Sequence, residues 1–402
     1  MERETEAALA VGVVTSIVGF TSSFAVVVAG LQAVGASTAQ AACGLAVLCV
    51  LQGAGSIWLS RRHRMPLTLA WSTPGAALLV SAAGLSIGWS AAIGAFLVTG
   101  ALLALTGLWP WLGRTVAAIP PPLGQAMLAG VLVPLCLEPV TAMSVSPALV
   151  IPVVVVWLVL QRWAPRWAAP AAFALAVVLV VVSVLHSTGS IPLRVPTLEL
   201  TAPTFDWAAM IGIAVPLYLV TMAAQNVPGV AVLGAAGYQV PWRESLLLTG
   251  FGTVAGAAAG THAVNLAAIT AALPASAQAH PDPAKRWIAS AAGGGFYILL
   301  APAVPSLTML LAAAPPGVLE SVAGLALLGT LAASLTSALT TVSDETGGRL
   351  PAVVTFLVAA SGTTALGIGA AFWALLAGLL LRFVLRTPKA ARHAAGRTTT
   401  GR

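Results

Sequence analysis

From residue 8 to residue 386 the sequence is a succession of apolar runs about 20 residues long, parted by short connectors that hold nearly all of its charges. As a helix, each run is long enough to cross about 30 Å of hydrocarbon. Only 7% of the 402 residues are charged, against about a quarter in a soluble domain, so no aqueous surface can be built around the apolar bulk. The bilayer is therefore the solvent, and an all-α integral membrane protein is expected.

Ends placed at charges, prolines and tryptophans give about 14 spans. They lie near residues 8–30, 38–58, 67–83, 87–108, 116–136, 147–163 and 169–186, then 206–226, 242–258, 260–275, 286–303, 316–340, 350–362 and 364–386. With a cytoplasmic N-terminus the inner connectors carry Arg61, Arg62, Arg64, Arg114, Arg162, Arg166, Arg243, Lys285, Arg286 and Arg349, with a basic tail from Arg382, and Arg194 falls outside. A miscount by one span would move every later loop to the other side, so this asymmetry supports the even number. A multi-pass inner-membrane protein with both termini cytoplasmic is expected. Topology also accounts for the net charge of +7 without a nucleic-acid partner. The first run reads as a retained span rather than a cleaved leader. Cys43, Cys49 and Cys136 have no metal-ligand spacing, so no metal, cofactor or disulfide is expected.

Two faint repeats divide the chain. Leu31-Gln-Ala-Val-Gly35 resembles Leu233-Gly-Ala-Ala-Gly237, and the stretch from Pro121 to Gly130 resembles that from Pro315 to Gly324. They occur in order and at nearly one offset, which suggests two homologous halves. Seven spans is an odd number, so the second copy enters the membrane from the opposite side, and a 7+7 inverted repeat follows. Inverted repeats with interrupted helices are a frequent construction of secondary transporters, with substrate held near the midplane.

Two spans carry the interruptions. In the third, Met65-Pro66 and Trp71-Ser72-Thr73-Pro74-Gly75 forbid one continuous helix. An extended stretch over 67–72 and a helix over 74–83 would together reach roughly 35 Å, enough to cross with the helix starting near the middle. Pro74 suits its first turn, with Thr73 as the expected cap. In the tenth span, Gly260-Thr-His262-Ala-Val-Asn265 precedes a run in which Asn265 is expected to cap a second half-helix. Two helix N-termini would then face each other in mid-membrane and favour an anion. Thr21, Ser22 and Ser23 of the first span and Gln225 and Asn226 of the eighth, equivalent under the repeat, are candidates to line this pocket with Trp71, Ser72, Thr73, Pro74, Gly75, His262 and Asn265. Hydroxyls in such spans also pack between helices or bond a preceding carbonyl. Trp71 has two readings, stacking on an aromatic ring or plain packing.

These stretches are similar to those of the benzoate:proton symporter family, the BenE type. The residues that carry the resemblance are Val18-Gly-Phe-Thr-Ser-Ser23, Arg64-Met-Pro66, Ala70 to Leu78 with its Trp-Ser-Thr-Pro-Gly, Gln225-Asn-Val-Pro-Gly-Val230 and Asn265 to Ala271. The resemblance implies a uracil-transporter-like fold in which a core domain (1–112 and 204–303, spans 1–4 and 8–11) moves against a gate domain (113–190 and 304–388, spans 5–7 and 12–14), followed by a basic tail, 389–402. It implies import of benzoate or a close analogue with protons. Nucleobase carriers of that fold place glutamates on the eighth and tenth spans, whereas Gln225 and Asn265 stand here, which suits a carboxylate better than a neutral base.

The candidates for proton coupling are His262, whose imidazole titrates near neutrality, and Glu320, whose other reading is a carboxylate stabilising the first turn of its helix. Asp206 is expected to start the eighth helix and Glu138 to end the fifth. A nucleobase or inorganic-anion carrier, a channel and a membrane-embedded enzyme are the alternatives. The enzyme would need a cluster of acids and bases near one interface, and Asp344 and Glu345 read instead as a solvated connector. The expected partners are a small aromatic carboxylate, protons and lipid, with a homodimer as a candidate assembly.

Overall fold

The computed structural model describes residues 2–85, 87–109, 111–113, 120–188, 194–268, 270–340, 349–366 and 368–385. In the first half follow α1 (Glu2–Ala33), α2 (Thr38–His63), β1 (Leu69–Trp71) with α3 (Thr73–Ser81), α4 (Trp89–Leu108), α5 (Pro121–Val145), α6 (Pro147–Trp163) and α7 (Pro165–Thr188). The second half holds α8 (Trp207–Ala235), α9 (Trp242–Ala257), β2 (Val264–Leu266) with α10 (Ala272–Ala275), α11 (Pro283–Ala312), α12 (Val318–Thr340), α13 (Leu350–Ala360) and α14 (Ala370–Leu385). Eight of these helices have the length and apolarity to cross a membrane. The shorter α6, α9, α13 and α14 and the two interrupted elements bring the described set to the fourteen that the sequence suggests. Arg114, the Asp344 and Glu345 connector and the 389–402 tail lie outside the described residues.

The two halves share one order of elements, and their first helices end alike. In both, a glycine with positive φ closes the helix, Gly35 at 99° and Gly237 at 89°. The N–H after each glycine returns to the leucine that opens the repeat, Ala36 to Leu31 at 3.1 Å and Tyr238 to Leu233 at 3.0 Å. This left-handed C-terminal turn is open to glycine without strain. Asp206 caps α8 as expected, accepting from the N–H groups of Ala208 and Ala209.

The third and tenth spans meet as a two-stranded antiparallel ribbon, with Leu69 opposite Leu266, Ala70 opposite Asn265 and Trp71 opposite Val264. Irregular backbone at membrane depth must be satisfied by protein, and here side chains of neighbouring helices cover the ribbon's edges. Ser56 of α2 accepts from the Leu69 N–H at 2.8 Å, Thr253 of α9 from Val264 at 2.9 Å and Asn226 of α8 from Leu266 at 2.9 Å. Around the ribbon, α4 packs along α9, α2 along α11, and α1 against α3 and α11, while α5 packs along α12 and α13.

Three expectations about caps and ends change. Ser72, not Thr73, caps α3, because Ser72 keeps extended backbone while its hydroxyl accepts from the Gly75 N–H at 3.1 Å. Asn265 caps nothing: it lies in β2, and α10 begins seven residues later, at Ala272. The fifth span is displaced towards the C-terminus. It continues past Glu138 to Val145 with Pro134 and Pro139 inside it, since neighbouring helices make intramembrane prolines tolerable.

Candidate functional site

The ribbon and the N-terminus of α3 bring Trp71, Ser72, His262 and Asn265 together with Ser23 and Asn226 at one crossing. Ser72 is fully buried and is its hub. Its hydroxyl accepts from Thr221 of α8 at 2.9 Å as well as from Gly75, and its N–H donates to the Ala263 carbonyl at 3.2 Å. Its carbonyl takes the Ala76 N–H at 2.8 Å and the His262 Nε2 at 3.0 Å. Because a carbonyl only accepts, Nε2 carries the proton in this arrangement. His262 is fully buried, with Phe96 edge-on to its ring at 6.4 Å, and its Nδ1 has no partner among the described residues. An imidazole with one fixed donor and one vacant acceptor can take up a proton there without breaking a bond.

Asn265 is buried between the strands. With its amide turned to suit its neighbours, it donates to the Ala70 carbonyl and accepts from the Ser72 N–H, each at 3.2 Å. Asn226 is engaged with Leu266, and its amide nitrogen reaches Met222 Sδ at 3.4 Å. The adjacent Gln225 differs: it is half-buried, and its amide forms no hydrogen bond among the described residues. Both amides sit in a π-helical turn, Met222–Asn226, directly before Pro228 in α8. The proline cannot donate to the preceding turn, and the widened turn that results is a frequent feature of functional sites. Thr221, four residues before Gln225, bonds Ser72 at the α3 N-terminus. There Thr73 is half-buried and Pro74 and Gly75 are buried.

In α1 the hydroxyls of Thr21, Ser22 and Ser23 turn back to preceding carbonyls, those of Ile17 for Thr21 and Gly19 for the two serines. Ser23 also accepts from Trp71 Nε1 at 2.9 Å. Trp71 is 3% exposed and packs against Phe20 and Tyr297, at centroid distances of 6.0 and 5.6 Å. Glu320 stands apart, half-buried in the first turn of α12, where the preceding Gly317 lies against Ala142 of α5. No contact joins it to His262 among the described residues.

Tyr297 of α11 is the residue that sequence reasoning missed. Its hydroxyl occupies the space a Cβ on Gly19 would need, with the Thr270 methyl close by, and it has no hydrogen-bond partner among the described residues. A tyrosine inside an apolar run was the available signal. Among the described residues no Asp, Glu, Lys or Arg is fully buried; the polar interior consists of Ser, Thr, Asn, Gln and His. No group of three or more metal-ligating side chains occurs there either.

Comparison with known proteins agrees with this architecture. The chain is 38% identical over 378 residues to the inner membrane protein YdcO of Escherichia coli, covering 94% of this chain and 95% of that one. It is 31% identical over 336 residues to a benzoate membrane transport protein of Acinetobacter baylyi, covering 83% and 84%. In three dimensions it is similar to the transmembrane domain of the cyanobacterial bicarbonate transporter BicA, with a TM-score of 0.57 at 14% identity over 96% of this chain and 98% of that one. It is likewise similar to the murine solute carrier 26 family member A9 anion transporter in its inward-facing state, with a TM-score of 0.62 at 14% identity over 94% of this chain and 68% of that one. At such identity these two likenesses speak for the fold alone. The family described as benzoate membrane transport protein matches residues 3–384. This multi-pass membrane transporter therefore belongs to the BenE family of benzoate membrane transport proteins.

Proposed function

We propose that the chain imports an aromatic carboxylate, benzoate or a close analogue, together with a proton. The observation that carries this reading is a buried crossing that is polar yet free of carboxylates. A substrate anion meets no competing negative charge there, and the Gln225 amide and the positive end of the α3 dipole are proposed to attract it. Thr21, Ser22, Thr73, His262 and Tyr297 are proposed to surround it, while Ser23, Trp71, Ser72, Asn226 and Asn265 hold those elements in register.

Carrying an anion inward against a negative-inside potential costs about 2.3 kcal/mol per 100 mV. A co-transported proton removes that cost. His262 is the proposed carrier, with its vacant Nδ1 as the acceptor, and Glu320 is left to the dipole of α12. Alternating access is proposed to move a core (spans 1–4 and 8–11) against a gate (spans 5–7 and 12–14), with both termini cytoplasmic.

Counterflow of radiolabelled 4-hydroxybenzoate in proteoliposomes, with and without an imposed pH gradient, tests the coupling. The wild type is expected to accumulate label when the outside is acidic, whereas His262→Gln exchanges label but does not concentrate it. Full proton-driven accumulation by the variant would remove His262 from this role.

A further inference from the structure

A concave feature lies on the exposed flank of α2, away from the crossing. It is a groove of about 630 Å³ lined by Ala54, Ile57, Trp58, Arg61 and Arg62 of α2 and Ile298 of α11. Its origin is a close helix contact: a Cβ on Gly53 would strike the Gly294 carbonyl, and one on Gly294 would strike that of Gly53. The two backbones touch there, and the larger side chains beside the contact form the walls of a trough.

The chemistry of the trough is graded along α2. Ala54 to Arg62 spans eight residues, or about 12 Å of helix. Ala54, Ile57 and Ile298 make its inner end apolar. Trp58, 48% exposed, follows at the depth where an amphipathic ring is favoured. Arg61 and Arg62 close the end at the membrane surface, both exposed. The Arg62 guanidinium lies 5.5 Å from the Trp58 ring centroid and its Nε bonds Glu244 at 3.1 Å. Arg61 has no ion-pair partner among the described residues.

We propose that this groove binds one anionic glycerophospholipid, its phosphate at Arg61 and Arg62 and one acyl chain along Ala54, Ile57 and Ile298. The order of the walls, apolar towards mid-membrane and cationic towards the surface, matches the order of groups in such a lipid. Glu244 offsets part of the Arg62 charge, so Arg61 supplies the greater part of the attraction.

The test is native mass spectrometry of the purified full-length protein, titrated with phosphatidylglycerol or with phosphatidylcholine of the same acyl chains. One phosphatidylglycerol should be retained in preference. Arg61→Gln should weaken it about fivefold, the effect of one basic residue near a membrane surface. Ile298→Trp, which fills the trough and keeps both arginines, should weaken it to a similar degree, and Arg349→Gln, an exposed cation outside the groove, should not. Equal retention of both lipids, an equal loss in Arg349→Gln, or full displacement by millimolar inorganic phosphate would overturn the proposal.

Discussion

At the scale of single residues, two adjacent amides in one π-helical turn differ in their partners. Asn226 satisfies a strand N–H, whereas the Gln225 amide has no partner among the described residues and is proposed as a donor to the substrate. A hydrogen bond to a charged group is worth about 1.5–3 kcal/mol, so Gln225→Ala is expected to weaken benzoate binding at least about tenfold while leaving thermal stability near that of the wild type. Asn226→Leu should do the reverse. It leaves the Leu266 N–H unpaired, at a cost of about 1–3 kcal/mol, visible as a lower unfolding temperature in detergent by scanning fluorimetry. Equal effects of the two variants on both measurements would refute this division of labour. The sequence places both amides beside a helix break, but nothing in Gln225-Asn226 tells which one a strand edge will claim. That depends on the pairing of Leu266, a contact 40 residues away.

At the scale of elements, the ribbon is the part that hydrocarbon makes most exacting. Its outward N–H groups are met by one side chain each from α2, α8 and α9, so the ribbon is fully satisfied only with those helices in place. Thr253→Val keeps the shape of the side chain but removes the acceptor for Val264, and an unfolding loss of about 1–3 kcal/mol is expected. A variant as stable as the wild type would mean that another group, or water, can replace the hydroxyl. The breaks themselves were legible, because Pro66 and Pro74 forbid a continuous third span and Gly260 to Asn265 shows the corresponding pattern in the tenth. The caps were less so. Ser72 and Thr73 are both good cap residues, and the choice between them was made by Thr221, which bonds the Ser72 hydroxyl from another span. Asn265 reads locally as a cap, yet tertiary pairing with Ala70 keeps it in a strand.

At the scale of the whole molecule, the even number of spans and the one-sided basic connectors lead to one testable arrangement. The connector at Gln278 should be cytoplasmic and that at Thr363 external; both residues are exposed and the three native cysteines are buried. A membrane-impermeant maleimide added to intact cells should therefore label Thr363→Cys, and should reach Gln278→Cys only after the membrane is opened. Labelling of both, or the reverse pattern, would show that a span has been miscounted. The substrate is a separate matter, since the likeness to anion transporters at 14% identity carries the fold only. The central claim is that the acid-free crossing receives an aromatic carboxylate, and isothermal titration calorimetry of the purified protein with benzoate, uracil and bicarbonate tests it most directly. Saturable binding of benzoate alone, weakened in Gln225→Ala, is the predicted result; binding of uracil or bicarbonate with none of benzoate would contradict it.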